Sequence, residues 1–420
     1  MHAVHVGEDH ARTTLAELER LACSRVFVIA NRSSASRAGP LVTALEQKGL
    51  LAAPLCTAIG MGGGEEGLLG ACDAAAAAGA TAVVTIGGGA VHDAGKLVRL
   101  WLAAAAARKQ EHSDTKRAAN LDDIRAMTER AELDLAPQVC APNSFAMAEL
   151  TSVAGATTKA NVKSGAAHAA LMPTVVVYDP VLSAGLPDWG DAPPLEPGSH
   201  FEAAAAAAPL IPCSPRALSV RFGTALRGVE HGIGAVCSTS EGVSGEVVDA
   251  ALEGVRLVAR GLEGMLTEPE AREAQLDCYR GGWLTIRALN TAGYPALAHF
   301  VQNHYSARLH VHQGACSGIL SARILRHHAA ATAPQQARLA AALGAPDSST
   351  TAPRQLQRLV ARLPGVAQEH AEVHVTPAAL REFAEWLYAT HGPKINQLSA
   401  VPFASAEALL EMLAWPLASL

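Results

Sequence analysis

Thr81-Ala-Val-Val-Thr-Ile-Gly-Gly-Gly-Ala-Val-His-Asp-Ala-Gly-Lys96 is the stretch whose reading decides the fold. Ala82–Ile86 is an apolar run of strand length, three glycines follow, and from Val91 the apolar residues take helical spacing through Trp101 into alanines 103–107. The pattern predicts a buried parallel strand, a tight turn and a helix N-terminus. Gly87, Gly88 and Gly89 let a ligand approach the backbone closely, and the first-turn amides and dipole of the helix favour an anion such as a diphosphate. The spacing is not G-x-G-x-x-G, so that dinucleotide fingerprint does not apply. Asp93 and Lys96 share a helical face next to the turn. On spacing alone they are either site residues or an exposed pair beside an ordinary turn.

The run GGGAVHDAGK resembles the GGGSxxDxxK motif of the iron-containing alcohol dehydrogenase superfamily, which shares its fold with dehydroquinate synthase. The resemblance implies an α/β protein, with an N-terminal doubly wound dinucleotide-binding domain followed by a C-terminal all-α domain. In that family the glycines hold the cofactor diphosphate. Asp93 and Lys96 then count with them as cofactor-binding candidates. Ala90 stands where the family usually has Ser, which removes one hydroxyl contact and leaves the backbone cradle.

Val139-Cys-Ala-Pro-Asn-Ser-Phe-Ala-Met-Ala-Glu-Leu-Thr151 carries the resemblance further. It is similar, at the same length, to the P-T-T-Y-A-G-S-E-M-T segment of the maleylacetate reductases, where ordinary alcohol dehydrogenases have one more residue. Asn143 and Ser144 replace two threonines and keep hydrogen-bonding capacity toward a cofactor, while Met147 and Ala148 replace Gly-Ser. Met147 is expected to crowd the backbone there. Lys163, Pro173–Pro180 and Gly185–Pro187 continue the same pattern, placing the domain boundary near residue 185. The expected division is therefore 1–185 as the nucleotide-binding domain, 186–218 as a Pro/Ala-rich insertion and 219–420 as the helical substrate domain. The insertion reads either as a lid over the expected cleft or as an inert linker.

Composition bounds the partners. Of 420 residues half are apolar, and Lys+Arg 33 against Asp+Glu 39 gives a net charge of −6. No basic face is implied, so neither nucleic acid nor an acidic membrane is expected, and a small molecule is. Eight cysteines without C-x-x-C spacing fit reduced thiols in the cytoplasm. The first twenty residues are charged throughout, unlike a signal peptide, and no apolar run reaches membrane-spanning length. A homodimer is expected from the family resemblance.

Upstream of the glycine turn, Arg25–Ala30 reads as a strand ending in Asn31-Arg32-Ser33-Ser34, and Pro40–Gly49 as a helix stopped by glycine. Arg32 with its serines is placed to hold a 2′-phosphate, which favours NADP over NAD. Leu51–Leu55 is expected to be a strand, Gly60–Gly67 a flexible turn, Leu68–Ala78 a helix and Arg108–Asp123 an exposed loop. Helical spacing covers Val247–Leu262, Ala271–Ala288, Ile319–His328, Arg354–Leu363, Pro377–Thr390 and Ser405–Trp415.

In the metal-dependent relatives one Asp and three His bind the ion, Asp and the first His lying four residues apart on one helix. Gly223–Val236 resembles that helix: His231 matches the histidine, and Arg227 stands at the Asp position. Arginine stays protonated in proteins and cannot ligate a cation, so no metal is expected. His299 and His312 take two further ligand places, with Asn303 at a neighbouring histidine position and His304 and His310 close by. The resemblance thus implies a metal-independent NAD(P)H-dependent reductase similar to maleylacetate reductase, in which Arg227 stabilises negative charge or clamps a carboxylate and His231, His299 or His312 donates the proton. Two other readings stand beside it. One is a protein of the same fold that has lost hydride transfer and does lyase-like chemistry or only binds a ligand; the other is an iron- or zinc-dependent alcohol dehydrogenase. A further reading of Arg227 is as salt-bridge partner of Glu230 or Glu241.

Overall fold

The computed structural model describes residues 3–60, 63–110, 121–130, 132–159, 163–183, 215–240, 242–345, 350–366 and 375–415. The chain divides into two compact units, Met1–Ser144 with Ala148–Ser214, and Phe145–Met147 with Pro215–Leu420.

The first unit is built on a five-stranded parallel sheet. Its strands are β1 (Ala3–Val6), β2 (Val26–Ala30), β3 (Ala82–Gly87), β4 (Gln138–Pro142) and β7 (Val175–Tyr178), in the order β1-β7-β4-β3-β2. Strands β5 (Val153–Thr157) and β6 (Lys163–Ala167) form a separate antiparallel pair. Helices α1 (His10–Arg20) and α2 (Ala35–Gln47) cover one face of the parallel sheet, and α3 (Glu65–Ala77) and α4 (Gly89–Gln110) the other. Burial on both faces explains why the strands read as unbroken apolar runs. Along β2, Phe27 and Ile29 pack with Leu68, Val98 and Trp101, while Val26, Val28 and Ala30 pack with Leu18, Leu41 and Leu45. The architecture is the expected doubly wound one.

Three local expectations are corrected. Leu51–Leu55 is not a strand: only isolated parallel bridges tie Leu51 to Val26 and Cys56 to Ile29, and Pro54, which has no N–H, lies between them. The approach to α3 is anchored at Gly63, whose O accepts from Thr157 N at 3.0 Å, and α3 begins at Glu65; Met61 and Gly62 lie outside the described residues. The polar segment 108–123 is partly helical, since α4 runs to Gln110 and α5 (Leu121–Arg125) buries Leu121 and Ile124; residues 111–120 lie outside the described part. The short helix α6 (Pro180–Ser183) follows β7. The insertion at 186–218 is outside the described residues up to position 214, and helix begins at Pro215.

The second unit is helical, with α7 (Pro215–Val236), α8 (Gly245–Thr267), α9 (Arg272–Ala292), α10 (Leu297–Leu309) and α11 (Gln313–His327) followed by helices at Ala333–Ala342, Ala352–Arg362, Pro377–Leu398 and Ala406–Leu413. Helices α8 and α9 approach closely because both present glycine. A Cβ on Gly254 would lie 2.8 Å from Gly281 O, and one on Gly281 2.6 Å from Gly254 O.

Candidate functional site

The glycine turn sits in the first unit where β3 gives way to α4. The β3–β4 ladder continues to Gly87 opposite Pro142, and Asn143 N donates to Gly87 O at 2.9 Å. This pairing sets Asn143 and Ser144 beside Gly88, where a Cβ would meet Ser144 Oγ at 3.4 Å and Asn143 Oδ1 at 3.7 Å. Asn143 Nδ2 donates to Ser34 Oγ at 2.6 Å, which joins the end of β2 to the turn. Arg32, itself exposed, opens the 3-10 turn Arg32–Ser34 to which the buried Ser34 belongs. Beside the glycines, the buried Oδ1 of Asn31 has no hydrogen-bond partner. The structure therefore brings Gly87, Gly88, Gly89, Asn143, Ser144 and Arg32 to one sheet end. Gly88 and Gly89 remain partly exposed. The N-terminus of α4 and the unsatisfied acceptor of Asn31 suit a nucleotide diphosphate and its ribose.

Asp93 and Lys96 lie on the first turns of the same helix. Lys96 Nζ is fully buried and donates to Asp93 Oδ1 (3.3 Å), Ala148 O (2.7 Å), Thr151 Oγ1 (3.0 Å) and Val153 O (2.6 Å). Asp93 Oδ2 accepts from Gly155 N at 3.0 Å. These contacts tie the turn to the β5 region, and Asp93 stays partly exposed beside it. The expectation for Met147 is corrected. It keeps the left-handed backbone of a glycine, with φ 60°, and points its side chain at Gly282 of α9, whose missing Cβ makes the room.

The second unit gathers polar groups around one buried contact. Glu230 and His231 come from the middle of α7, His299 from the first turn of α10 and Ser317 from α11. Glu230 Oε1 lies 3.1 Å from His299 Nδ1, Ser317 Oγ is 2.7 Å from Glu230 Oε2, and the Tyr294 hydroxyl is 2.6 Å from His299 Nε2. The Gln302 amide reaches both His299 Nδ1 (3.1 Å) and Ser317 Oγ (2.6 Å). Burial would raise the Glu230 carboxyl, but the charge and hydrogen bond of His299, with His231 and Arg227 nearby, hold it down at about 2. His231 is pushed down to about 3, first by burial and then by His299 and Arg227 against the opposing pull of Glu230. It is a neutral imidazole whose two ring nitrogens have no hydrogen-bond partner. Arg227, one turn earlier on α7, is half-buried, and its Nε also has none. Glu230 is spent on His299 and Ser317, so it does not pair with Arg227; Glu241 lies outside the described residues.

His312, half-buried, is the residue before α11. Asn303 pairs with Gln313, and His304 stacks on His391 with ring centroids 4.5 Å apart. Sequence reasoning missed Glu230 as a working residue, and Tyr294, Gln302 and Ser317 altogether. Glu230 lay beside a singled-out histidine, but its partners come from other helices.

Among the described residues, the donor atoms of Glu230, His231 and His299 lie within 4.8 Å of one another, the one such group of three. The metal that the family implies nevertheless does not fit them as they stand. The carboxylate and His299 are bonded to each other, their outer atoms are taken by Ser317 and Tyr294, and only His231 offers a free nitrogen, beside a guanidinium.

Comparison with known proteins places these units. Residues 2–180 match the family model described as iron-containing alcohol dehydrogenase. Maleylacetate reductase 1 of Rhodococcus opacus is 27% identical over 170 residues, 40% of this chain and 37% of that protein. Maleylacetate reductase of Rhizobium sp. (strain MTP-10005) is 24% identical over 284 residues, 66% of this chain and 60% of that protein. The chain thus matches less than two thirds of the length of these curated relatives. The crystal structure of maleylacetate reductase from Agrobacterium tumefaciens superposes with a TM-score of 0.71 at 21% identity, covering 98% of this chain and 95% of that one. With its doubly wound sheet, its all-helical second unit and the match over residues 2–180, the chain has the fold of the iron-containing alcohol dehydrogenase superfamily.

Proposed function

We propose that this chain is a NAD(P)H-dependent reductase that works without a bound metal on an unsaturated or keto carboxylic acid, or a related carbonyl compound. The observation that carries the reading is the pair Arg227 and His231, one helical turn apart on α7, with buried nitrogens that no protein group satisfies. Unsatisfied buried donors beside a fixed positive charge suit an anionic ligand.

When bound, the reduced nicotinamide supplies a hydride. The backbone at Gly87–Gly89 and the N-terminus of α4 hold the diphosphate, with Asn143 and Ser144 offering an amide and a hydroxyl next to it. Arg32 is the residue this reading assigns to a 2′-phosphate, with NADP as the preferred cofactor and NAD as the alternative. Arg227 does for a developing oxyanion, or for a substrate carboxylate, what a metal does in metal-dependent relatives. A cytoplasmic homodimer taking a small-molecule substrate, with neither nucleic acid nor membrane as partner, completes the proposal. No helix among the described residues is long and apolar enough to cross a membrane.

Calorimetric titration of chelator-treated protein with NADPH and NADH tests the reading, followed by turnover assays on keto and unsaturated acids, maleylacetate first. Binding that survives metal removal, with oxidation of NADPH by one of these acids, is the expected result. Absence of binding at millimolar cofactor sinks it in favour of non-redox chemistry on the same fold.

A further inference from the structure

His92 carries a buried nitrogen that the protein itself does not use. It lies in the first turn of α4, is fully buried, and its Nε2 has no hydrogen-bond partner. Its neighbours Thr85, Gly87, Arg99 and Gln138 belong, like His92, to the first unit. A buried polar atom left without a partner costs stability, so its presence beside the glycine turn calls for a use.

The network beneath the turn indicates which ring nitrogen bears the hydrogen. Arg99 Nη1 donates to Gln138 Oε1 at 3.3 Å, and a guanidinium can only donate, so the Gln138 amide nitrogen faces the other way. That nitrogen donates to His92 O at 3.1 Å and to Thr85 Oγ1 at 3.3 Å. The Thr85 hydroxyl makes its shortest contact, 2.9 Å, with His92 Nδ1, against 3.3 Å to Cys140 Sγ and 3.5 Å to Val139 O. With that hydroxyl donating to Nδ1, the hydrogen of the neutral ring sits on Nε2. Burial first, then Lys96, push His92 down to about 3, while the Gly87 backbone pulls the other way, as a carbonyl near the ring does. A bare Nε2 beside that carbonyl would set two lone pairs against each other, which favours the same tautomer.

Resting on the nucleotide-binding reading of this turn, we propose that His92 is a positioning residue that aims the Gly87–Gly88 peptide at the cofactor diphosphate, its Nε2–H closing on the Gly87 carbonyl when the nucleotide binds. In a trans peptide the Gly87 carbonyl and the Gly88 N–H point in opposite directions. The carbonyl already accepts from Asn143 N at 2.9 Å, on the buried side of the turn. A second donor there pins the carbonyl inward and holds the Gly88 N–H outward, where Gly88 is partly exposed. An anion drawing on the Gly88 N–H polarises the same peptide and makes its carbonyl a better acceptor, so the two contacts strengthen each other.

The test compares wild type, His92→Phe and His92→Gln by thermal melts and by calorimetric titration with NADPH and with ADP-ribose, which has the diphosphate and lacks the nicotinamide. His92→Phe keeps the ring and removes the unpaired nitrogen. It is expected to melt at or above the wild-type temperature and to bind NADPH and ADP-ribose about 10-fold more weakly, the worth of one hydrogen bond. His92→Gln, which keeps an N–H near the place of Nε2, should recover most of the loss. A His92→Phe variant that binds both nucleotides as wild type does makes His92 a packing residue and overturns the proposal. So does a loss for NADPH that ADP-ribose does not share, because the effect would then lie away from the diphosphate. Should His92→Phe fail to fold, nitrogen-15 NMR of the wild type decides: an Nε2–H resonance that moves downfield on saturation with NADPH is expected, and a ring protonated on Nδ1 or an unmoved resonance overturns it. A wild type that binds neither nucleotide marks failure of the nucleotide reading itself, and the role of His92 falls with it.

Discussion

Glu230 and His299 meet at 3.1 Å in a contact closed to solvent, the carboxylate from the middle of α7 and the imidazole from the first turn of α10. A buried carboxylate is tolerated only because its oxygens are used, one by the imidazole and one by Ser317. Truncating it leaves an imidazole and a hydroxyl without their acceptor. Glu230→Ala is expected to lose about 3–5 kcal/mol of stability, the cost of breaking a buried pair. Glu230→Gln, which keeps the shape and one acceptor, should lose clearly less. Urea denaturation of the variants measures the difference, and equal losses would mean that the pair does not hold the helices.

Acid should unfold this protein earlier than its net charge suggests. Burial first, with nearby cations second, holds the folded-state values of His92 and His231 at about 3; His304 and His328 are lowered to about 4, likewise by burial first. Groups with a lowered folded value bind protons in the unfolded chain first, so their contribution is complete above their ordinary value of 6.5 and falls away as pH drops toward 4 and 3. Glu230 acts in the same direction at lower pH, from 4.5 down to about 2. The expected outcome is a Tm that is level above neutrality and falls continuously below about pH 6.5, measured by differential scanning calorimetry. A Tm that rose on mild acidification would contradict the neutral, buried state of these imidazoles.

The glycine turn allows folding and ligand binding to be separated. A Cβ on Gly87 would lie 2.9 Å from both Asn31 Oδ1 and Val91 Cγ2, so Gly87→Ala has to displace packed atoms at a cost of about 1–3 kcal/mol. A Cβ on Gly88 meets Ser144 Oγ only at 3.4 Å and otherwise fills partly open space. Gly88→Ala should therefore melt close to wild type and yet lose about 10-fold or more in NADPH affinity, because the methyl group occupies the room a diphosphate needs. Paired thermal melts and NADPH titrations decide it. Unchanged affinity in a folded Gly88→Ala would move the nucleotide away from this turn.

These two sites differ in how far they could be read before any coordinates. The glycine turn is local: strand, turn and helix lie within one continuous stretch, and the periodicity that marks them is set by neighbours in sequence. The doubly wound sheet follows from the same logic, since strands covered on both faces must be apolar throughout. Leu51–Leu55 was misleading because its composition suits a strand while Pro54 cannot donate to a ladder. Lys96 shows a subtler limit. Spacing placed it beside the turn, but not that Ala148, Thr151 and Val153 would claim its ammonium. The Glu230–His299–Tyr294 group was beyond reach for a different reason. Glu230 and His299 are 69 residues apart, Glu230 and Ser317 87, and no local pattern reports which helix faces meet across such distances.

Arg227 tests whether α7 still serves a ligand. In a purely structural role its guanidinium would have a partner, and removing it would destabilise the fold. Its Nε instead lacks one, and Glu230, the nearby carboxylate, is committed elsewhere. Arg227 also works against protonation of His231, which stays neutral beside it and leaves the guanidinium charge for a ligand. Arg227→Gln is accordingly expected to melt at or above the wild-type temperature and to bind NADPH as before. Its KM for an acidic substrate, or its kcat where the charge develops in the transition state, should worsen by about 10- to 150-fold, the equivalent of one charge-assisted hydrogen bond of about 1.5–3 kcal/mol. Arg227→Lys should recover only part of this, since a lysine ammonium cannot hold a carboxylate in the two-pronged geometry of a guanidinium. Steady-state kinetics beside thermal melts measure both halves, and a variant that loses stability while keeping its kinetic constants would return Arg227 to a structural role.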